Sequence, residues 1–245
     1  MATQDTRVAL VTGGSGGIGR AVVRRLAADG FAVAVHYAGN ADRAEQVAQE
    51  VVASGGRAIT VTGDVADEHA MAAAFDAVEA AFGGIDVVVN TAGIMVLGPV
   101  ETFDLDAFDR MHRTNVRGTF VVSQQAARRL RRGGALVNVS TSQTRAQHPT
   151  YGAYVSTKAA VEGLTLILAR ELRGRDVTVN TVAPGPVATP LFFEDKDEET
   201  VARLAGLVPL ERLGEPDDVA ETVAFLAGPA RWVNGQVLFA NGGLA

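Results

Sequence analysis

The sequence predicts a doubly wound α/β fold, with a parallel sheet of about seven strands and helices on both faces. Short apolar runs alternate with longer helical patterns along the whole chain. The runs are rich in Val and mostly lack polar alternation, which is typical of strands that are buried on both faces. No linker, repeat or low-complexity stretch interrupts the alternation. Residues 1–245 are therefore expected to form a single domain.

Each element of this fold has its own signal in the chain. The apolar runs predict seven strands: Val8–Thr12, Ala32–His36, Ala58–Thr62, Val87–Asn90, Ala135–Ser140, Val177–Val182 and Gln236–Phe239. Helical periodicity predicts six helices, at 18–29, 41–53, 67–82, 106–131, 154–173 and 216–227. Many of the junctions carry glycine, which ends helices readily: Gly30, Gly55, Gly83, Gly133 and Gly174.

Composition excludes several classes of function. The chain contains no cysteine, so disulfides, thiolate metal sites and cysteine nucleophiles are excluded. A net charge of −6 argues against a nucleic-acid or anionic-membrane partner. The four histidines lack metal-ligand spacing, so no metal site is expected. No apolar run is long enough to span a membrane, and the N-terminus lacks an apolar signal core, so a cytoplasmic protein is expected.

The segment from Thr12 to Gly19 (TGGSGGIG) carries the most informative pattern in the chain. Glycine makes up 27 of the 245 residues, and five of these glycines crowd the turn between the first strand and the first helix. Such a turn lets the backbone approach a ligand closely, and the start of the helix offers free N–H groups to a pyrophosphate. The context predicts a dinucleotide site. Its expected contacts are Gly13, Ser15, Gly17, Ile18 and Gly19.

The end of the second strand indicates which dinucleotide binds. A site that prefers NAD usually has Asp or Glu there, about 20 residues after the glycine loop, to bind the ribose 2′-hydroxyl. The chain has no acid in this region before Asp42. A 2′-phosphate is therefore acceptable, and NADP(H) is favoured over the alternative, NAD(H). The candidate phosphate contacts are Ser15, His36, Asn40 and Arg43.

An ordered set of motifs resembles the short-chain dehydrogenase/reductase family, in its 3-oxoacyl-(acyl-carrier-protein) reductase-like branch. The motifs are the glycine loop, Asp64-Val65, Asn90-Thr-Ala-Gly93, Asn115, Tyr154-x-x-x-Lys158 and Pro184-Gly-Pro-Val-Ala-Thr189. The resemblance spans nearly the whole chain and implies a Rossmann fold. It also implies a cytoplasmic homotetramer that acts on a small carbonyl or alcohol compound, or on a carrier-bound acyl thioester.

The Tyr154–Lys158 pair can be interpreted chemically. The two residues are four apart in a helical pattern and so share one face. A nearby ammonium favours the phenolate, so Lys158 is expected to lower the pKa of Tyr154 from its free value near 10. Tyr154 would then protonate a carbonyl oxygen as hydride arrives at the carbon.

The resemblance assigns roles to the remaining residues. It implies that Lys158 also holds the nicotinamide ribose, and that Asn115 kinks its helix through a water and joins a proton relay. Asp64 and Val65 would flank the adenine, and Asn90, Ala92 and Gly93 would bound the adenosine side. Pro184, Val187 and Thr189 belong to the motif on the nicotinamide side, where Val187 and Thr189 would fix the carboxamide.

A third catalytic group should be a hydroxyl at the end of the fifth strand. The family usually has a serine about 13 residues before the tyrosine, where this chain has Thr141. Ser142 lies 12 residues before Tyr154 and suits a loop that is one residue shorter. Ser142 is the preferred candidate, Thr141 is its rival, and Ser140 is a weaker third.

Substrate recognition should fall to the loops that follow the later strands. Residues 190–207 form a candidate lid, although their aromatic residues could instead pack against the body of the protein. Apart from Arg145, these loops carry no obvious cationic anchor, which favours a neutral or amphipathic substrate. The leading function is therefore an NADPH-dependent ketoreductase with Tyr154 as general acid. The alternatives are an NAD-dependent alcohol, sugar or steroid dehydrogenase and a non-catalytic NADP-binding sensor.

Overall fold

A computed structural model describes residues 6–194 and 196–245, so the predictions for residues 1–5 and for position 195 of the candidate lid lie outside the described residues. All seven strands run parallel in one sheet, in the order β3-β2-β1-β4-β5-β6-β7. The strands are β1 (Val8–Thr12), β2 (Ala32–Tyr37), β3 (Arg57–Thr62), β4 (Ile85–Asn90), β5 (Leu130–Val139), β6 (Thr178–Pro184) and β7 (Val237–Ala240). The predicted fold class is confirmed.

Helices cover both faces of the sheet, as predicted. One apolar cluster joins the sheet to α1 (Gly17–Ala28), α2 (Ala41–Ala53) and α10 (Pro216–Ala227). A second joins the other face to α3 (Glu68–Phe82), α5 (Gly118–Arg129) and α7 (Gly152–Glu171). Among the described residues, the connections also hold a 3₁₀-helical turn (Val100–Thr102) and four shorter α-helices: α4 (Leu105–Met111), α6 (Gln143–Ala146), α8 (Pro190–Phe193) and α9 (Glu198–Gly206).

The helix predicted over 106–131 is present but is interrupted by a π-helical turn and ends two residues early. Residues His112–Arg117 form a π-helical turn that separates α4 from α5, and α5 ends at Arg129. The chain then enters β5 five residues earlier than predicted, because Leu130 already pairs with Ile85. Gly133, at φ +82°, lies where the register of that pairing shifts. This glycine accommodates a bulge that separates the two paired parts of the strand.

A row of buried polar side chains fixes the register of the central strands. Thr12 and Asn90 face each other across β1 and β4, and Asn90 faces Asn138 across β4 and β5. The Thr12 Oγ1 donates to the Asn90 Oδ1 at 2.6 Å, and the Asn90 Nδ2 donates to the Asn138 Oδ1 at 3.3 Å and to the Thr119 Oγ1 at 3.0 Å. A slip of one residue would bury these groups without partners, so the row specifies the pairing of the strands.

The strand order places a crevice at the carboxyl ends of β1 and β4. From β1 the chain moves outward to β2 and β3, and it then returns to the other side of β1 with β4. Ligands of doubly wound sheets bind at such a reversal of direction. In the described part of the chain, no helix has the length and apolar character needed to cross a membrane.

Candidate active site

The glycine loop occupies the carboxyl end of β1. Gly13 adopts φ +64°, and its carbonyl accepts a hydrogen bond from the Gly16 N–H at 2.9 Å, which closes a tight turn. Helix α1 begins at Gly17 with neither a side-chain cap nor an acidic residue in its first turn. Its first N–H groups therefore have no side-chain acceptor, and the positive end of the helix dipole is not neutralised.

Two glycines of this loop are required by close contacts. A Cβ on Gly19 would lie 2.2 Å from the Gly13 carbonyl oxygen, and a Cβ on Gly17 would lie 2.7 Å from the Thr189 Cγ2. The first contact lets α1 lie against the loop. The second brings the segment after β6 up to the start of α1. The two halves of the predicted cofactor site are therefore adjacent.

Gly19→Ala should weaken NADPH binding at least about tenfold, because the loop must move away from the added methyl group. Overpacking of this kind also costs about 1–3 kcal/mol of stability. Gly163→Ala is the matched control, because a Cβ there meets no atom within 4 Å beyond its chain neighbours and the backbone of its own helix. Fluorescence titration with NADPH measures the effect, and unchanged affinity in Gly19→Ala would contradict it.

Tyr154 and Lys158 lie on the same face of α7 and line one pocket. The Lys158 Nζ is buried and donates to the Val139 carbonyl, at the end of β5, at 2.9 Å. It lies 5.8 Å from the centre of the Tyr154 ring. Loss of solvent lowers the pKa of Lys158 to about 8.

The predicted lowering of the Tyr154 pKa is not what the structure shows. Burial, and to a lesser extent the neighbouring Tyr151, raises the pKa of Tyr154 well above its usual value. The ammonium of Lys158 is engaged with the carbonyl of Val139 and lies near the ring. Desolvation therefore decides the pKa of Tyr154, and the phenol stays protonated.

Asn115 lies in the π-helical turn and is fully buried. Its Oδ1 accepts from the Ile94 N–H at 2.9 Å, and its Nδ2 donates to the Ile94 carbonyl at 2.9 Å and to the Thr157 Oγ1 at 3.0 Å. The side chain thus joins the loop after β4 to α7. At the position of the predicted kink, the helix has a π-helical turn. A Cβ on Gly93 would lie 3.2 Å from the Asn115 Oδ1 and 3.3 Å from the Lys158 Nζ, so both groups converge on Gly93.

The three hydroxyls after β5 have different partners. The Ser140 Oγ donates to the Glu162 Oε1 at 2.7 Å, and the Thr141 Oγ1 accepts from the Gln143 N–H at 3.3 Å. Among the hydrogen bonds within residues 6–194 and 196–245, none uses the Ser142 hydroxyl. All three residues line the same pocket as Tyr154.

The remaining wall of the pocket is largely apolar, with Gln143, His148 and Tyr151 among its polar residues, and it includes residues that the sequence motifs did not indicate. The candidate lid contributes side chains from α8 and α9 to this wall. Its apolar lining includes Met95, Leu191, Phe192, Leu204, Leu207 and Leu244. Within the described chain, Lys158 is the only Lys, Arg, Asp or Glu of the lining. The guanidinium of Arg145 instead stacks 4.2 Å from the ring centre of Phe239.

Comparison with known proteins identifies the family. A family profile described as Enoyl-(Acyl carrier protein) reductase matches residues 13–245. A short-chain type dehydrogenase/reductase of Picea abies is 45% identical, over 97% of this chain and 92% of its own length. The chain belongs to the short-chain dehydrogenase/reductase family. Its members are NAD(P)-dependent oxidoreductases that act on CH–OH and C=O groups.

Other relatives of this short-chain dehydrogenase/reductase have named activities. An NADPH-dependent aldehyde reductase-like protein, chloroplastic, of Arabidopsis thaliana is 41% identical, over 97% of this chain and 93% of its own. The 3-oxoacyl-(acyl-carrier-protein) reductase FabG of Staphylococcus aureus is 38% identical, over 98% of both chains. A short chain dehydrogenase from Burkholderia cenocepacia, solved in complex with NADP, superposes with a TM-score of 0.91 and 42% identity over 98% of both chains.

The residues around the glycine loop of this short-chain dehydrogenase/reductase fit a dinucleotide. A cradle of glycine backbone meets an uncapped helix start, which suits a pyrophosphate. Ser15 and Ile18 are partly exposed, and Ile18 also lines the catalytic pocket. Pro184 ends β6 and lines the same pocket. Val187 is bridged to Gly214, and Thr189 caps α8 by accepting from the Phe192 N–H.

His36 was predicted to contact the 2′-phosphate, but the structure does not place it at the surface of the cofactor site. It is 1% exposed and sits under the glycine loop, where its Nδ1 faces the Gly13 N–H at 3.4 Å. Burial lowers the pKa of His36 to about 4, so the imidazole is neutral at physiological pH. A buried neutral ring supports the loop from below, and it is unsuited to direct contact with a 2′-phosphate. Asn40 is exposed and caps α2 by accepting from the Arg43 N–H at 2.9 Å.

The residues predicted on the adenosine side line up along the carboxyl edge of the sheet. Burial raises the pKa of Asp64, but hydrogen bonds from the Ala66 N–H and from the Arg113 guanidinium outweigh it and hold the pKa below its usual value. Val65 is buried against Gly118. The side chain of Asn90 belongs to the polar row of the sheet, while Ala92 packs against Gly13.

Proposed function

We propose that this enzyme is an NADPH-dependent carbonyl reductase that acts on a neutral aldehyde or ketone, with residues 1–245 acting as one catalytic domain. The observation that carries the proposal is one pocket in which Tyr154, Lys158 and the hydroxyls after β5 meet the segment that follows β6. NADPH, when bound, supplies the hydride that reaches the carbonyl carbon. Tyr154 gives its proton to the carbonyl oxygen, and the product is an alcohol.

The protonation states of the pair support reduction. Burial keeps the phenol of Tyr154 protonated, which is the form that a carbonyl reduction consumes. Lys158, with a pKa of about 8, is mostly cationic at neutral pH and stabilises the phenolate that remains. The same Lys158 would hold the nicotinamide ribose, and Val187 and Thr189 would hold the carboxamide.

The preference for NADP rests on the end of β2. The segment after His36 reads Tyr37-Ala38-Gly39-Asn40 and has no carboxylate to repel a 2′-phosphate. Ser15, Asn40 and Arg43 are the proposed contacts. The Arabidopsis relative is named for its NADPH dependence and the Burkholderia structure holds NADP, which supports the same choice.

A neutral substrate follows from the lining of the pocket. Its only charged side chain among the described residues is Lys158, which the chemistry itself requires. Among the described residues, the lining offers no Lys or Arg besides Lys158 to pair with a carboxylate or phosphate on the substrate. The apolar side chains of 190–207 are proposed to close over an apolar substrate body.

A substrate panel tests the proposal. Oxidation of NADPH is followed at 340 nm with neutral aldehydes, alkanones, cyclic ketones and 3-oxoacyl thioesters, and with 2-oxo acids of matched length. We expect neutral carbonyls to exceed the matched acids at least about tenfold in kcat/KM, and NADPH to exceed NADH. A tenfold preference for NADH would contradict the cofactor assignment. Tight NADPH binding with no turnover across the panel would favour a binding protein.

Ser142→Ala should lower kcat by about 10²–10³-fold, because a hydroxyl that donates to the developing oxyanion is lost. Ser142 is preferred because its hydroxyl has no partner among the described residues, whereas that of Thr141 accepts from the Gln143 N–H. Thr141→Val serves as the comparison and should lose less than about tenfold. Full activity in Ser142→Ala, with a large loss in Thr141→Val, would reverse the assignment.

A further inference from the structure

Glu162 lies one helical turn beyond Lys158 on α7 and is bonded to the segment that carries the candidate hydroxyls. Its Oε1 accepts from the Ser140 Oγ at 2.7 Å and from the Thr144 Oγ1 at 2.9 Å. Residues 140–144, here termed the hydroxyl segment, begin directly after β5 and run into α6. One carboxylate oxygen therefore holds both ends of the segment that contains Thr141 and Ser142.

The other bonds of the hydroxyl segment run mainly to the sheet and within the segment. The N–H groups of Ser140 and Ser142 donate to the carbonyls of Val182 and Pro184, each at 2.8 Å. The Thr144 Oγ1 also lies 3.0 Å from the Thr141 carbonyl, so its single proton is shared between that carbonyl and the Glu162 carboxylate. Among the described residues, the side-chain bonds from this segment to α7 end on Glu162, apart from a long contact of 3.4 Å between the Ser140 Oγ and the Lys158 carbonyl.

The reaction needs the two elements at a fixed distance. Tyr154 and Lys158 are on α7, whereas the candidate hydroxyls are on the hydroxyl segment, so the reacting groups belong to two separate pieces of backbone. A misplacement of about 1 Å can cost about a hundredfold in rate. Hydrogen bonds to a carboxylate are stronger than neutral ones and suit such a clamp.

We propose that Glu162 is a positioning residue that holds the hydroxyl segment against α7 and so sets the distance from the catalytic hydroxyl to Tyr154. The role rests on the proposed function. Glu162 is not part of the pocket lining, so it acts through Ser140 and Thr144 and does not touch the substrate. A carbonyl oxygen in the pocket is then met by the phenol and the hydroxyl at the same time.

The kinetic test compares three variants. Glu162→Leu removes both acceptor oxygens and should lower kcat at least about tenfold, with the Kd of NADPH within about twofold. Glu162→Gln keeps the Oε1 acceptor and should recover at least about a third of the parent kcat. Glu171→Gln removes an exposed carboxylate from the same helix and controls for charge. The proposal is overturned if Glu162→Leu keeps kcat within threefold, if Gln fails to rescue, or if NADPH affinity falls in parallel with kcat.

Hydrogen exchange gives a readout that does not depend on turnover. In Glu162→Leu, the amides of 142–147 should exchange faster than in the parent, while Glu162→Gln and Glu171→Gln should match the parent. Unchanged exchange in Glu162→Leu overturns the clamp. If the parent protein reduces no carbonyl, the proposed function is contradicted but the Glu162 proposal is not. The exchange data still decide whether Glu162 holds the hydroxyl segment. Thr144→Val, which removes one donor, gives the same comparison if Glu162→Leu fails to fold.

Discussion

Tyr154→Phe should lower kcat about a thousandfold while the Kd of NADPH stays within about threefold. The substitution removes only the phenolic oxygen, which is the group proposed to protonate the carbonyl, and general acids contribute about 10²–10⁴-fold. The ring keeps its place on α7. Steady-state kinetics with the best substrate of the panel, together with NADPH titration, measures the two quantities separately.

Tyr151→Phe is the matched control for this variant. Tyr151 lines the same pocket, and burial raises its pKa as well. Tyr151→Phe therefore removes a phenolic oxygen from a similar environment close to Tyr154. We expect a loss of less than about tenfold in kcat. If Tyr154→Phe retained more than a tenth of the parent kcat, or if Tyr151→Phe lost as much, Tyr154 would not be the proton donor.

Lys158→Met should also lower kcat/KM at least about a thousandfold, because it removes the cation that stabilises the phenolate and holds the cofactor. The same variant should change the pH dependence of stability. Lys158 has a folded pKa of about 8 against an unfolded value of 10.5. Between these values the unfolded chain binds more protons, so this group makes the protein more stable as pH rises.

The size of this effect follows from the difference in pKa. About 2.5 pKa units correspond to about 3 kcal/mol, a penalty that is fully present below pH 8 and fades toward pH 10.5. Urea unfolding at pH 7, 8, 9 and 10 measures this effect. As pH rises, the free energy of unfolding of the parent should increase relative to that of Lys158→Met. Losses that do not titrate, such as the packing of the Lys158 side chain, are the same at every pH, so only the trend is diagnostic. Parallel curves would contradict the lowered pKa.

Much of the fold could be predicted because its strands are buried on both faces. Runs such as Val87–Asn90 are recognisable without knowledge of their neighbours, and the glycine loop marks the first connection. The start of β5 could not be predicted, because Arg131 and Arg132 continue a helical pattern, and only the pairing of Leu130 with Ile85 places them in a strand. The short helices α6 and α8 span four residues each and give too weak a periodic signal.

The site was predictable where spacing along one helix decides it, as for Tyr154 and Lys158. It was not predictable where burial or distant segments decide it. Nothing local shows that His36 lies under the glycine loop, or that burial raises the pKa of Tyr154 despite the neighbouring Lys158. The apolar wall is drawn from Met95, from the lid and from Leu244 at the end of the chain, which only the fold brings together.

The π-helical turn at His112–Arg117 makes the site depend on the number of residues in this turn. Such a turn is closed by bonds from residue i to i+5, so it holds one residue more than an α-helical turn. Removing any one of its six residues would leave a continuous α-helix that carries Asn115 or its neighbours past Ile94. A deletion anywhere in the turn should therefore disturb the site, even at an exposed position such as Arg113. Replacing the Arg113 side chain leaves the number of residues in the turn unchanged and so lacks this effect.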